Sequence, residues 1–182
     1  MMAFNYLITT LFDLYLMVII LRVWLQFARA DFYNPFSQFV VRATNPLLKP
    51  LRRIIPGFAG VDCAGIVLAL LVAAAKWAAV MQLAQGAISW SFIPLFALLT
   101  VVKQTGSLLF WILLVRAVLS WISQGRSPIE YVFMQLTEPF LAPIRRIIPA
   151  MGGLDLSVLV LFIILNFVNM LLTTQIPYWR LM

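Results

Sequence analysis

Histidine is absent from the 182-residue chain, cysteine occurs once, at Cys63, and only six residues are acidic. Without histidine there is no histidine-ligated haem, no histidine-containing zinc site and no side chain that ordinarily titrates near neutral pH. One cysteine excludes an intrachain disulfide and leaves the redox compartment unspecified. Glycine-rich phosphate loops, G-x-S-x-G elbows, metal-ligand spacings and a nucleophile with a plausible base are all missing. No catalytic residue, cofactor or metal site is therefore expected, and the protein is read as not an enzyme. Charged residues make up 10% of the chain, against about a quarter in an ordinary soluble domain.

What replaces them is apolar. Hydrophobic residues make up 64% of the chain, more than a soluble surface could enclose at this length. The net charge of +7 does not point to nucleic acid, because the arginines sit beside apolar runs, where anionic headgroups are the natural partner. Four stretches reach the roughly 20 residues that a helix needs to cross hydrocarbon: about 4–27, 63–84, 98–121 and 156–176. The N-terminus lacks the positive region of a cleaved signal peptide, so the first stretch is read as a retained span. Residues 86–97 are ambiguous. A fifth span there would place the two basic loops on opposite sides of the membrane, which favours four.

The loops carry the most specific pattern. Asn45-Pro46-Leu47-Leu48-Lys49-Pro50-Leu51-Arg52-Arg53-Ile54-Ile55-Pro56 returns as Glu138-Pro139-Phe140-Leu141-Ala142-Pro143-Ile144-Arg145-Arg146-Ile147-Ile148-Pro149. Gly60-Val61-Asp62 and Gly153-Leu154-Asp155 follow the two copies. The chain is thus read as a tandem duplication, 1–85 and 86–182, with motifs at 45–62 and 138–155. Each unit is a hairpin of two spans around a basic, proline-rich loop. Phe36, Phe39, Val40 and Ala43 recur at helical spacing, predicting a short surface helix that ends before Asn45. The prolines argue against one long helix through the motif and suit a bent element at the interface. The positive-inside rule places both basic loops in the cytoplasm and both termini outside, as parallel repeats related by a pseudo-twofold axis along the membrane normal.

A doubled N/E-P-x-L-x-P-[LI]-R-R-I-I-P followed by G-[VL]-D between apolar spans resembles the YggT family of bacterial integral membrane proteins, also called YlmG. The resemblance covers nearly the whole chain, and two copies look like the proteobacterial form. It implies the inner membrane. It also implies links to osmotic-shock tolerance, to division and nucleoid organisation and, in plastids, to maturation of the cytochrome b6f complex. It carries no catalytic residues, so it supplies a place more than a mechanism.

Several polar residues stand out against the apolar background. Asp13 lies about 14 Å inward along its span by helical rise, and Lys76 comes to about the same depth, so adjacent antiparallel spans bring them together. Ser107 and Asn169 occupy the equivalent positions in the second unit, a neutral version of the same contact. The pair reads either as a salt bridge fastening a hairpin or as an ion site near the midplane. Arg22 and Arg116 read either as snorkelling side chains or as partners of Asp62, Asp155 or a lipid phosphate. Asp62 and Asp155 read most simply as helix N-caps. Arg52, Arg53, Arg145 and Arg146 form two matched basic patches, read either as a docking surface for anionic lipid or a partner protein or as a topology determinant that obeys the positive-inside rule; the proline scaffold favours docking. Gly65, Ala69 and Ala73 give the second span a small-residue face for close helix packing. Tyr178, Trp179 and Arg180 read as an interfacial anchor. The leading expectation is an inner-membrane scaffold or assembly protein that supports other complexes under osmotic stress, with a membrane-protein partner or as a homo-oligomer. The alternative is a small oligomeric transporter or channel for ions or osmolytes that uses Asp13 and Lys76.

Overall fold

Four apolar helices dominate the computed structural model, which describes residues 2–58, 60–123, 127–148 and 155–181. They are α1 (Met2–Phe27), α3 (Cys63–Gln85), α4 (Ile93–Ser123) and α6 (Leu156–Gln175). All four are long and apolar enough to cross a membrane, as expected of a multi-pass membrane protein. Between the members of each pair lies an amphipathic helix, α2 (Pro35–Ile54) or α5 (Pro128–Ile147). The order span, amphipathic helix, span therefore occurs twice. Among the described residues there is no β-strand, only an isolated bridge between Phe58 and Val61.

The amphipathic helices correct one expectation. The helix beginning at Pro35 does not stop before Asn45 but continues through Pro46 and Pro50 to Ile54, and α5 likewise continues through Pro139 and Pro143. A proline inside a helix removes one N–H and so frees the carbonyl four residues earlier. Spaced four apart, Pro46 and Pro50 share one face, as do Pro139 and Pro143, and all four are exposed. Their freed carbonyls, on Arg42 and Pro46 and on Gln135 and Pro139, lie along that outer stripe, where an outside donor can meet them. The opposite face of α2 buries Ser37, Val40, Thr44 and Leu48. Thr44 and Thr137 each return their hydroxyl to carbonyls of their own helix just before the first internal proline. Pro149, Gly153 and Leu154 of the second motif lie outside the described residues.

Residues 86–97 do not form a separate span. Gly86 closes α3 in the left-handed conformation (φ 68°), a short 3-10 turn follows at Trp90–Phe92, and α4 starts at Ile93. Pro94 fits because the first turn of a helix has no intrahelical acceptor for its missing N–H.

The centre of the molecule is α1, α3 and α4. Helix α3 presents Ala69 and Ala73 to it, 2% and 0% exposed. At Gly65 the approach is closest: a Cβ there would lie 2.5 Å from Val23 Cγ2 and 2.8 Å from Asp62 Oδ2. Trp24 ties the first half to the second. Its indole N–H donates to the Leu136 carbonyl at 3.1 Å, and its ring packs edge-on against Phe140. Phe36 of α2 meets Phe133 of α5 nearby. Helix α6 is peripheral, touching α4 and α5.

Gly65→Val should overpack the α1–α3 contact and destabilise the protein by about 1–3 kcal/mol. Thermal unfolding in detergent, followed by near-ultraviolet circular dichroism, would register this as a lowered midpoint, whereas Gly106→Ala, where a Cβ meets nothing within 4 Å, should not lower it.

Candidate functional site

The doubled arginines lie in the last turns of α2 and α5, and the two aspartates start α3 and α6. Geometry joins them. Arg52 Nη2 lies 2.6 Å from Asp62 Oδ2, and the same guanidinium reaches Gln26 Oε1 at 3.0 Å. Asp62 Oδ1 in turn accepts the Gly65 N–H at 3.2 Å, capping α3. In the second half Arg145 Nη2 lies 2.6 Å from Asp155 Oδ2, and Asp155 Oδ1 accepts both the N–H and the hydroxyl of Ser157. Arg145 Nη1 adds a fork to both Glu138 oxygens, each at 3.0 Å. Each clamp thus closes the chain between an amphipathic helix and the span after it.

Titration follows from those contacts. Burial, the largest single influence, pushes the Asp155 carboxyl up, but the hydrogen bonds from Arg145 and Ser157 together outweigh it and hold the group below its ordinary value. The Arg145 guanidinium is held above its ordinary range, chiefly by its hydrogen bond to Asp155. Arg52 and Arg145 differ from their neighbours in being paired: Arg53 and Arg146 are exposed and form no ion pair among the described residues, although Arg52 is itself 36% exposed. Arg53 continues a stripe with Arg42 and Lys49 along the proline face of α2. On α5 the corresponding positions are Gln135 and Ala142, so that stripe retains only Arg146.

Arg22 and Arg116 do not bond to Asp62 or Asp155, whose carboxylates belong to the clamps. Nor does Arg22 reach outward: it is 7% exposed, with its guanidinium 4.8 Å above the Phe32 ring. Its Nε and Nη1 find no hydrogen-bond partner among the described residues. Arg116 Nη1 donates instead to the Thr137 hydroxyl.

Farther along the spans, Lys76 Nζ lies 2.6 Å from Asp13 Oδ1. Lys76 is buried, with its side chain 5% exposed, while that of Asp13 is 29% exposed. Trp77 beside it donates to the Thr100 hydroxyl at 2.8 Å, linking α3 to α4. The neutral equivalents behave differently. Asn169 accepts the Trp179 indole N–H at 2.9 Å rather than meeting Ser107, and both line a cavity of about 400 Å³ between α4 and α6. Trp179 is not an exposed interfacial residue but folds back over this cavity, 3% exposed, with its carbonyl accepting from Lys103 Nζ at 2.8 Å. Tyr178 packs on Phe96. The roles of Thr44, Thr137 and Trp24 were not singled out from sequence; a threonine just before each first internal proline was the available signal.

A family model described as CCB3/YggT matches the chain twice, over residues 1–83 and 86–176. The chain belongs to the CCB3/YggT family. The two matched segments fit a two-repeat form. Among relatives of this family, an uncharacterized protein of Vibrio alginolyticus is 60% identical over 182 residues, covering 98% of each chain. The uncharacterized protein YggT of Escherichia coli (strain K12) is 46% identical over 173 residues, 93% of this chain and 89% of its own. An uncharacterized protein of Haemophilus influenzae (strain ATCC 51907 / DSM 11121 / KW20 / Rd) is 41% identical over 162 residues, 89% and 87% of the two chains. No solved structure matches this CCB3/YggT chain.

Because the folded Asp155 is held below its ordinary 3.8, its contribution to stability is complete above that value and is lost as pH falls through the lower, folded one. Amide exchange in the first turn of α6 should accelerate over that acidic window, and Asp155→Asn should remove the pH dependence. For the buried pair, Lys76→Gln should cost about 3 kcal/mol by stranding a carboxylate, with part regained when Asp13→Asn is added. Unfolding midpoints of the two single variants and the double would give the coupling.

Proposed function

We propose that the protein is a non-enzymatic scaffold or assembly protein of the bacterial inner membrane, built from a duplicated unit, 1–85 and 86–182. It holds other membrane complexes together or supports the envelope under osmotic stress. In this reading both clamp junctions face the cytoplasm and both termini lie outside, as the positive-inside rule requires of the basic segments. The observation that carries it is the division of labour within each Arg-Arg pair: one arginine is bonded to the aspartate that caps the next span, and its exposed neighbour has no ion-pair partner among the described residues.

Exposed Ile54 and Ile147, 79% and 81%, flank those outward arginines, so each site offers a cation beside an apolar contact. That combination suits an anionic headgroup or an acidic, amphipathic partner segment. An apolar groove of about 350 Å³ lined by Val23, Phe27, Ile66 and Phe140 opens beside the first clamp. The lone stripe of Arg42, Lys49 and Arg53 makes the first half the stronger electrostatic surface. Lys76 and Asp13 support the same reading. A buried lysine bonded directly to the acid of the adjacent span is what a fastener between two helices would look like.

The test removes the outward arginines and leaves the clamps intact. After gentle extraction in polymer from the native membrane, mass spectrometry should find a partner at near-unit stoichiometry that is lost in Arg53→Ala with Arg146→Ala. A clean homo-oligomer without such a partner, together with ion flux in liposomes that Asp13→Asn abolishes in a folded protein, would replace the scaffold with a transporter.

A further inference from the structure

The two halves differ most where α6 meets α4. In the first half, the equivalent contact between α1 and α3 is closed by glycine, alanines and the Asp13–Lys76 bond. In the second, Gly106 faces open space, and the walls stand apart around about 400 Å³. Its lining is apolar at Phe110, Leu165 and Leu172 and polar at Lys103, Ser107, Asn166 and Asn169; by position along the helices, Lys103 and Asn169 lie toward the end where α6 finishes, and Phe110 and Leu165 lie farther in.

Charge makes this end unusual. Lys103 donates to the Trp179 carbonyl and lies 5.9 Å from its ring, but no carboxylate among the described residues lies within ion-pair distance. Asp13, an acid on a neighbouring span, is taken by Lys76. Asn166 and Asn169 are exposed on α6, where hydrocarbon would leave their remaining amide groups without partners. An ammonium, a hydroxyl and two amides beside an apolar trough describe a receptor for an anionic amphiphile.

Depth decides which one. Helix α6 ends at Gln175, and the chain turns so that Trp179 returns to Asn169. Asn169 is about 9 Å from that end by helical rise, so the polar end of the cavity lies within reach of headgroups while the trough runs toward the membrane interior. We infer that the cleft between α4 and α6 binds one anionic phospholipid, its phosphate on Lys103 with Ser107 and Asn169, an acyl chain in the trough and Trp179 as its cover. This site is separate from the arginine surfaces and does not depend on them.

The experiment therefore uses the full chain carrying Arg53→Ala and Arg146→Ala, delipidated in detergent and titrated with phosphatidylglycerol, phosphatidylcholine or inorganic phosphate under native mass spectrometry. Phosphatidylglycerol should give one saturable adduct, weakened about fivefold by Lys103→Gln and retained by Lys103→Arg. Gly106→Leu should abolish it by filling the trough, without lowering the unfolding midpoint, since leucine is also the better helix former. Equal binding of phosphatidylcholine, an adduct with inorganic phosphate that displaces the lipid, or wild-type affinity in both Lys103→Gln and Gly106→Leu would each overturn the assignment. Loss of the adduct only through unfolding would appear in the midpoint of Gly106→Leu and would also count against it.

Discussion

A guanidinium bonded to the carboxylate that caps the next helix fixes the architecture at two places. Arg52 with Asp62, and Arg145 with Asp155, each join the end of an amphipathic helix to the beginning of a span. The carboxylate has two tasks at once, satisfying helix-terminal N–H groups and neutralising the arginine. Burying Asp62 to 3% exposure is tolerable because both tasks are met. Once that corner is set, the direction of the following span is set, and with it the contact that α3 makes at Gly65.

Much of this was readable because it depends on local chemistry. Apolar length gave the four spans, and the spacing of acid after proline motif gave the caps. Depth counting brought Asp13 and Lys76 together because a helix converts residue number into distance at a fixed rate. The proline helices were not readable in the same way. Each proline penalises a helix locally, and only the three-dimensional arrangement reveals that all four lie on the outer face, where the freed carbonyls need not be buried. The pairing of Arg52 and Arg145 with the capping aspartates, which Arg53 and Arg146 do not share, was equally hidden, since adjacent arginines look alike in sequence and differ by about 100° around a helix.

The halves are alike in their corners and unlike in their spans. Where α1 and α3 close on a salt bridge, α4 and α6 leave a cleft with a roof made from the C-terminal turn. One half is thereby built for cohesion and the other for accommodation. The cationic stripe on α2 has no counterpart of equal strength on α5, so the outer surfaces are unequal as well.

The bond from Trp24 to Leu136 has a consequence for how the chain is made. Its donor is in the first helix, whereas its acceptor is in the fifth. A ribosome that has delivered only the first three helices has supplied the donor but neither its acceptor nor the Phe140 ring that packs on Trp24. The leading half therefore cannot finish its own core during synthesis. It waits for the trailing half to arrive, so the order of translation is not the order in which the parts become stable.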